Sequence, residues 1–486
     1  MNRSPTFFER YYILRGEYDY YTNFNVSARY SRSISRVNLS NALRNLVKKY
    51  PCFAVSFFRV NDKDLEEDGK NFVMKPLQQV KFDDVVAFHK ISKFDETTLE
   101  YIDQFVVKVG IENSPLWRII VMEEEETGRQ YLTFYCDHAI FDGTSGGLFH
   151  DKLLLELNEV ESNQSELQFA ENLHTLDDSF EIPHVNEAGL ALYDSSVSFA
   201  LYETASRLLV PGWIKNYISS IYQNWYPSKY YVDVSKNPMY RYKPTRKSTP
   251  TKFKLLKFSP AEVRGMLSRC KQNGLTLTPY VIVIALQCLQ ETIMKGTSQE
   301  VATSSESAPI EHSSETIIAI NNRRFLPEAH AEEFGLMVSP VEVALPPFQK
   351  FDKLDDLFPT MAHVGKVMTS GIEANYGSKI VGLLKYVKVG DFLKEKLDQS
   401  SSRQTLDVSN LGNKSYIHGS WEAEEFIFSQ SQGVGTHFGI SLVSTSKSGL
   451  NIVFGYLEEY AKFQDETESF IKLYRQRLLD EDANLR

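Results

Sequence analysis

Cysteine is scarce in this chain of 486 residues, which has four, at positions 52, 136, 270 and 288. No two of them have the spacing of a pair that binds zinc or carries out thiol redox chemistry. Histidine, aspartate and glutamate likewise form no cluster with the spacing of metal ligands. The sequence therefore predicts no metal site and reduced thiols, as is typical of a cytoplasmic protein.

Basic residues are in the minority. The chain has 53 lysine and arginine residues against 63 aspartate and glutamate residues, which gives a formal net charge of -10. No sustained basic stripe exists to neutralise phosphates, so we expect no nucleic-acid partner. The hydrophobic content of 42% and the aromatic content of 13% exclude general disorder and suit large cores and apolar tunnels equally well.

Long apolar runs are missing as well. No stretch approaches the roughly 18 apolar residues that span a bilayer, and the N-terminus has no apolar core of a signal peptide. Residues 6–15 and 468–481 are amphipathic and helix-like. We expect both to pack on a monomeric cytoplasmic protein. The alternative is peripheral contact with a membrane surface, on the endoplasmic reticulum or on lipid droplets.

The length and the patterning indicate two lobes of mixed α/β structure. Residues 1–210 mix strands and helices and form the first lobe, and residues 211–250, with five prolines, are predicted to be a crossover connection. Residues 251–486 form the second lobe, in which Ser259 is predicted to cap a helix. A flexible insertion rich in Gly, Thr, Ser and Glu is predicted near 296–316.

The most informative part of the sequence is the run over residues 131–147. Every second residue from 132 to 136 is apolar and His138 continues this alternation, so one strand face ends in an imidazole. Asp142, Gly143 and an apolar helix-like segment follow. Because a general base needs a fixed ring, access to substrate and rigid support, the pattern favours His138 as a base. The alternative is a satisfied core or turn histidine.

The same run contains a second motif, since residues 143–147 match the Gly-x-Ser-x-Gly elbow of α/β-hydrolases. In such an elbow the strand runs directly into the serine, whereas here the strand ends at His138, several residues early. A hydrolase based on Ser145 would need His437 as its base, and we keep it as an alternative function. Cys136 shares the strand face with His138 but lies one pleat deeper, so we interpret it as a small buried hydrophobe.

Several motifs occur in a fixed order along nearly the whole chain: Pro115-Leu-Trp-Arg118, His138-x-x-x-Asp142-Gly143, Asn-Arg-Arg at 322–324, and Ser409-Asn-Leu-Gly412. This order resembles that of the HxxxD-type CoA-dependent acyltransferases, the chloramphenicol-acetyltransferase-like enzymes and condensation domains. The chain looks most like the fungal alcohol acetyltransferases and the relatives that N-acetylate sphingoid-base-like compounds. The Asp-Phe-Gly-Trp-Gly signature of the plant branch is absent, and the nearest match is His437-Phe-Gly439.

The resemblance implies two chloramphenicol-acetyltransferase-like α/β lobes with mixed sheets and a tunnel at their interface. Acetyl-CoA, as a co-substrate and not a permanent cofactor, would enter from one side and the acceptor from the other. Neutral His138 would take a proton from the acceptor hydroxyl or amine and return it to the CoA thiolate. No covalent acyl-enzyme is then needed.

The resemblance also implies roles for other residues. Asp142 would point away from the imidazole and pair with an arginine, either Arg323 or Arg324, with Arg118 as a further alternative. Capping of the following helix is the other interpretation of Asp142. Gly143 would allow a tight turn and leave room for substrate.

Two residues on a later strand, Ser409 and Asn410, are our candidate donors to the oxyanion, together with local backbone N–H groups. Asn410 alternatively holds the strand end as a turn residue. We thus predict an acetyltransferase that acts on an apolar or amphipathic acceptor, such as an alcohol, a sterol or a sphingoid-base-like amine, in lipid metabolism or detoxification. Besides the hydrolase, a non-catalytic two-lobed binding protein is an alternative. The sequence leaves oxygen or nitrogen as the acceptor atom open.

Overall fold

The computed structural model describes residues 2–18, 23–60, 69–162, 167–208, 214, 250–295, 313–349, 353–398, 404–433, 435–458 and 464–480. The predicted crossover at 211–250 lies almost entirely outside the described residues. The predicted insertion near 296–316 also lies mostly outside them, although residues 314–316 belong to a strand.

Helices and strands alternate along both halves of the described chain. The strands are β1 (Asn23–Tyr30), β2 (Val55–Arg59), β3 (Phe72–Pro76), β4 (Gln79–Lys81), β5 (Val86–Ile91), β6 (Trp117–Glu124), β7 (Gln130–Asp137), β8 (Asn172–Thr175), β9 (Thr251–Phe258), β10 (Ser314–Asn321), β11 (Val338–Leu345), β12 (Gln404–Lys414), β13 (Ile417–His418), β14 (Trp421–Gln430), β15 (Thr436–Thr445) and β16 (Gly449–Leu457). The α-helices are α1 (Phe7–Glu17), α2 (Arg36–Lys49), α3 (Phe82–Val85), α4 (Glu96–Ile102), α5 (Gly143–Ser162), α6 (Glu187–Ala191), α7 (Val197–Leu208), α8 (Pro260–Gln272), α9 (Leu277–Glu291), α10 (Phe358–Glu373), α11 (Tyr376–Gly382), α12 (Val389–Asp398) and α13 (Gln464–Leu479).

The first large sheet has the strand order β13-β14-β1-β7-β6-β5. Its pairs are antiparallel apart from β5 and β6, which run parallel, so the sheet is mixed. β13 and β14 come from the second half of the chain, yet they pair with β1 of the first half. The side-chain amide of Asn25 donates to the hydroxyl of Ser429 at 2.7 Å across this pair. Residues 417–430 therefore complete the first sheet, although they follow the predicted crossover at 211–250 and lie in the predicted second lobe.

The second large sheet has the order β11-β10-β12-β15-β16-β9. β12 lies between β10 and β15 and runs parallel to both, whereas the remaining pairs are antiparallel. At the start of this half, Ser259 and Glu262 form the predicted capping box of α8, since each side chain accepts a hydrogen bond from the other residue's backbone N–H.

Each sheet supports a large apolar core. In the first core α2 packs against α5 beside the sheet. In the second, α9 packs between α10 and α13. Within the described residues, the stretch Leu277–Lys295 is long and apolar enough to cross a membrane, but 72% of it is buried inside the protein. That burial is typical of a core helix.

The two terminal segments turn their apolar faces into the protein. Helix α1 buries Phe7, Phe8 and Tyr12 in the first core. Helix α13 buries Phe470 and Tyr474 in the second core. These side chains are the ones that a membrane-bound helix would place in lipid, so the packing alternative explains the amphipathic pattern of both segments.

Candidate active site

The histidine of the HxxxD motif lies directly after the end of a central strand. β7 ends at Asp137, and the His138 ring lies between two aromatic rings. Tyr12 of α1 stacks on it with a centroid distance of 4.9 Å and an interplanar angle of 19°, and Phe24 of β1 lies 4.4 Å away. Because helix and strand are both packed in the core, the imidazole plane is held from two sides.

A hydrogen bond fixes which ring nitrogen carries the proton. Nδ1 of His138 lies 2.9 Å from the backbone carbonyl oxygen of Phe141. A carbonyl oxygen only accepts, so Nδ1–H is the donor and the neutral ring has its lone pair on Nε2. The side chain is partly exposed. His138 therefore has a basic nitrogen that is oriented and not used by its own loop.

The surroundings keep this ring neutral. Burial and, to a lesser extent, the nearby Arg15 guanidinium together lower the pKa of His138 to about 4, against the opposing effects of Asp142 and of the Phe141 carbonyl. An imidazole in such a site is unprotonated at neutral pH and able to accept a proton.

Asp142 forms the centre of a buried polar cluster. Its Oδ1 accepts from the backbone N–H of Ser145 at 2.8 Å, which caps the first turn of α5. Its Oδ2 accepts from Arg323 Nη1 at 2.7 Å and from the backbone N–H of Met337 at 2.9 Å. Burial by itself would raise the pKa of Asp142, but Arg323 and these N–H donors hold it below the usual value. The carboxylate thus both caps the helix and joins the two halves of the chain.

Of the three candidate arginines, Arg323 is the one in contact with Asp142. Its side chain is 2% exposed and that of Asp142 is 4% exposed. The exposed Arg324 donates instead to the carbonyl of Asn321 at 3.1 Å. Arg118 donates to backbone carbonyls of its own segment. The two neighbouring arginines of one motif therefore have different environments.

Ser145 belongs to the Asp142 cluster and is not presented on an exposed elbow. Its hydroxyl lies 2.9 Å from Asp142 Oδ1, 3.2 Å from Arg323 Nη2, and 3.1 Å from both the N–H and the carbonyl of Gly335. The residue is fully buried. His437, the base that a hydrolase would need, is fully buried in β15. The geometry gives Ser145 a packing role. The thiol of Cys136 is buried too, and burial keeps its pKa far above the usual value, so it stays protonated.

Gly143 is required for contact between the halves and not for a special backbone turn. Its φ does not lie in the left-handed region, and it begins α5. A Cβ atom at this position would lie 2.9 Å from Cδ2 of Leu411 on β12 and 3.6 Å from Phe428 on β14. The backbone angle at Gly143 therefore does not require glycine, and the space left by the missing side chain is taken up by Leu411.

The two candidate oxyanion donors on β12 differ in their contacts. The Ser409 hydroxyl accepts from Gln430 at 3.5 Å, the limit of a hydrogen bond, and is partly exposed. Asn410 donates to the Thr278 hydroxyl at 3.0 Å and accepts from the backbone N–H of Gly412 at 2.8 Å. Asn410 thus holds the strand against α9, as in its turn interpretation, whereas Ser409 retains a nearly free hydroxyl.

Three residues near the site were not identified from the sequence: Tyr12, Arg15 and Asp407. Arg15 lies over the rings of Tyr11 and Tyr12, at 5.5 and 5.3 Å from the ring centroids. It interacts electrostatically with His138 and with Asp407. Two features of the sequence could have pointed to these three residues. They are the aromatic face of the first helix and the alternation of polar residues at 407 and 409.

Comparison with known proteins assigns the chain to a family. The family model for alcohol acetyltransferases matches residues 6–478. The chain belongs to the alcohol acetyltransferase family. Alcohol O-acetyltransferase 2 of Saccharomyces cerevisiae is 20% identical over 97% of this chain and 94% of its own length. N-acetyltransferase SLI1 of the same yeast is also 20% identical, over 98% of this chain and 99% of its own.

A solved structure is similar in fold. The TRI3 trichothecene 15-O-acetyltransferase of Fusarium sporotrichioides superposes with a TM-score of 0.61 at 10% identity, covering 99% of this chain and 95% of that one. The predicted acyltransferase family and the mixed α/β fold of two chloramphenicol-acetyltransferase-like lobes are confirmed. The interface tunnel stays a prediction. Within the described residues, no group of three or more His, Cys, Asp or Glu side chains is placed to hold a metal ion.

Proposed function

We propose that this acetyltransferase moves an acetyl group from acetyl-CoA to the hydroxyl or amine of an apolar or amphipathic acceptor, with His138 as the general base. The observation that carries the proposal is the bond from His138 Nδ1 to the Phe141 carbonyl, which leaves Nε2 as the basic nitrogen of a partly exposed ring. Acetyltransferase activity follows from the family, and the donor and the base are our inference.

The reaction needs one side chain to move a proton twice. Nε2 of His138 takes the proton from the acceptor as its oxygen or nitrogen attacks the thioester carbonyl carbon. The resulting imidazolium gives that proton to the departing CoA thiolate as the carbon–sulfur bond breaks. Throughout, the Nδ1–H bond to Phe141 keeps the ring in one orientation. Asp142 supports the loop from behind through Arg323 and does not touch the imidazole in this scheme.

The negative charge on the carbonyl oxygen in the intermediate needs hydrogen-bond donors. Ser409 suits this role better than Asn410, because its hydroxyl has only one long hydrogen bond to the protein. The Asn410 side chain is already occupied on both its oxygen and its nitrogen. We therefore assign the donor role to Ser409 and a supporting role to Asn410.

The side chains around His138 favour an apolar acceptor. Tyr12 and Phe24 flank the imidazole, and Leu411 and Phe428 lie against the adjacent Gly143. Apart from the Tyr12 hydroxyl, the surroundings of the imidazole are thus apolar, which favours an apolar acceptor. The proposed route has acetyl-CoA reaching His138 from one side of the interface between the lobes and the acceptor from the other.

The test is release of free CoA thiol from acetyl-CoA with an acceptor panel that runs from short and long alcohols to a sterol and a sphingoid base. We expect His138→Ala to lower kcat/KM by about 10³- to 10⁴-fold. Ser145→Ala is the matched variant in the Gly-x-Ser-x-Gly motif. The fraction of this variant that folds should still transfer acetyl groups. Ester hydrolysis that is abolished by Ser145→Ala, without acetyl transfer to any acceptor, would contradict the proposal. Ligand binding without His138-dependent turnover would instead indicate a non-catalytic protein.

A further inference from the structure

The tyrosine that stacks on His138 also brings a hydroxyl group to the base. Tyr12 lies on α1 with its ring nearly parallel to the imidazole, at an angle of 19° and a centroid distance of 4.9 Å. Because a phenol oxygen is bonded directly to its ring, this contact also brings the hydroxyl next to the imidazole. The scheme above uses the ring as a support and assigns no role to the hydroxyl.

The Tyr12 ring is held by the protein, whereas its hydroxyl is left for a ligand. The residue is 8% exposed and belongs to the first core. Phe8 and Tyr11 of the same helix pack against its ring, with centroid distances of 5.3 and 5.2 Å. Within the described residues, the Tyr12 hydroxyl makes no hydrogen bond. A hydroxyl on so buried a side chain usually has a partner, so its position beside the base points to a substrate group as that partner.

The surroundings of the Tyr12 hydroxyl suit a partner that carries negative charge. The guanidinium of Arg15 lies over the Tyr12 ring, 5.3 Å from its centroid. Burial raises the pKa of Tyr12 well above the usual value, against the lowering effect of Arg15. The phenol therefore keeps its proton at neutral pH and donates a hydrogen bond instead of acting as a base. A fixed O–H donor with a cation behind it stabilises an oxygen on which negative charge develops.

The hydroxyl of Ser409 is connected to the same imidazole through the first sheet. Ser409 accepts its long hydrogen bond from Gln430, which is the direct cross-strand partner of Phe24. Directly opposed residues of antiparallel strands lie on one face of the sheet, with Cβ atoms roughly 5 Å apart. The Phe24 ring in turn lies 4.4 Å from that of His138. The imidazole thus has the Tyr12 ring on one side and the Phe24–Gln430 pair, which leads to Ser409, on the other.

We propose that the Tyr12 hydroxyl is a second donor to the oxyanion, beside Ser409. This inference rests on the proposed function and adds a catalytic residue to it. As the acceptor attacks, the electron pair of the carbonyl π bond moves onto the oxygen, and both hydroxyls donate hydrogen bonds to it without losing their protons. When the carbon–sulfur bond breaks, that pair re-forms the carbonyl and the thiolate leaves. His138 alone moves a proton, from the acceptor to the CoA sulfur.

The test removes the hydroxyl and keeps the ring. Transfer from acetyl-CoA to 1-dodecanol, or to the best acceptor of the panel, is measured as CoA thiol released and as acetylated product by mass spectrometry. We expect Tyr12→Phe to lower kcat by about 100-fold, because the oxyanion loses a donor. The KM values of both substrates should stay within about threefold, since the lost bond is strong only in the transition state. Circular dichroism gives the folded fraction by which each rate is divided.

Two comparisons separate this role from support of the base. Tyr11→Phe is the matched control, because Tyr11 also lies beneath Arg15 and packs on Tyr12, and within the described residues its ring contacts do not include His138. It should keep the kcat of the wild type. The acid limb of the pH profile is the second comparison. Tyr12→Phe still covers the imidazole, so this limb should stay where it is in the wild type, whereas a displaced His138 would shift it.

The outcomes distinguish the role of Tyr12 from the function on which it rests. An unchanged kcat in Tyr12→Phe, an equal loss in Tyr11→Phe, or a raised KM without a fall in kcat would overturn the role of the hydroxyl. A fall in kcat with a shifted acid limb would overturn it too, because the ring would then act by positioning His138. With His138→Ala inactive, each of these results leaves the proposed function intact. No transfer by the wild type to any acceptor of the panel would contradict that function itself.

Discussion

The two sides of the site differ in how completely the protein satisfies their polar groups. On the HxxxD side, both carboxylate oxygens of Asp142 are hydrogen-bonded, and His138 has one nitrogen bonded to its own loop. On the β12 side, Asp407 has no hydrogen bond within the described chain and Ser409 has one at 3.5 Å. The first side is held in place by the fold, whereas the second retains hydrogen-bonding capacity for a ligand.

This difference separates residues that build a site from residues that meet a substrate. Substitution of a satisfied buried group leaves its partner unpaired and so lowers stability. Substitution of an unsatisfied group at a ligand site lowers activity and leaves stability nearly unchanged. The three predictions below use this distinction, from the largest expected effect to the smallest.

Arg323→Ala should have the largest effect on stability. It leaves the buried Asp142 carboxylate without its cation, and we expect a loss of about 3–5 kcal/mol in the free energy of unfolding. Urea denaturation at neutral pH measures the loss. Arg324→Ala is the matched control. Its exposed side chain bonds only a nearby backbone carbonyl, so it should change stability by less than about 0.5 kcal/mol. Similar losses in the free energy of unfolding for Arg323→Ala and Arg324→Ala would contradict the view that the buried Asp142–Arg323 pair holds the HxxxD side in place.

Ser409→Ala should lower activity and not stability. Loss of a donor to the oxyanion lowers kcat by about 100-fold, while the melting temperature stays within a few degrees. Asn410→Ala is the neighbouring comparison. It removes the bonds to Thr278 and Gly412 and should cost about 1–2 kcal/mol of stability with only a small change in kcat. A fall in kcat for Asn410→Ala alone would reverse our assignment of the donor.

The acid limb of the pH profile should show the smallest change. With the pKa of His138 lowered to about 4, kcat/KM for 1-dodecanol should fall by less than about twofold between pH 7 and 5.5. A histidine with the ordinary pKa of about 6.5 would lose about eightfold over this interval.

Acid unfolding sets the lowest pH at which that activity measurement can be made. His138, His150 and His437 are neutral when folded, with pKa values lowered to about 4. The unfolded chain binds more protons between about pH 6.5 and pH 4, so stability falls as the pH falls through this window. Circular dichroism at each pH separates unfolding from titration of His138. An eightfold loss of activity without unfolding would show that the imidazole is not held neutral.

Local patterns predicted the HxxxD side well. The alternation before His138 and the residues after it describe one strand, one loop and one helix, which are set by neighbouring residues. The family resemblance implied an arginine partner for Asp142 and offered three candidates, beside the alternative of helix capping. It did not select among them, because burial of Arg323 and exposure of Arg324 depend on how the second half of the chain packs on α5.

The β12 side was harder to predict because its properties come from distant segments. The surroundings of Asp407 depend on β10 and β15, which flank β12, and Leu411 further along β12 packs against Gly143 of the HxxxD segment. Helix α1 was predicted from its amphipathic pattern, but that pattern does not say what covers the apolar face. Its role beside His138 therefore became visible only in the folded chain.

The pairing of β1 with β14 bears on how the protein is made. The hydrogen-bonded partners Asn25 and Ser429 are 404 positions apart. At usual rates of synthesis, β1 waits roughly 20 to 80 s on the ribosome before its partner has been made. During that time the edge of the unfinished sheet, with its buried aromatic face, is open to pairing with other chains. We therefore expect the first half of the chain, expressed alone, to aggregate through this open edge.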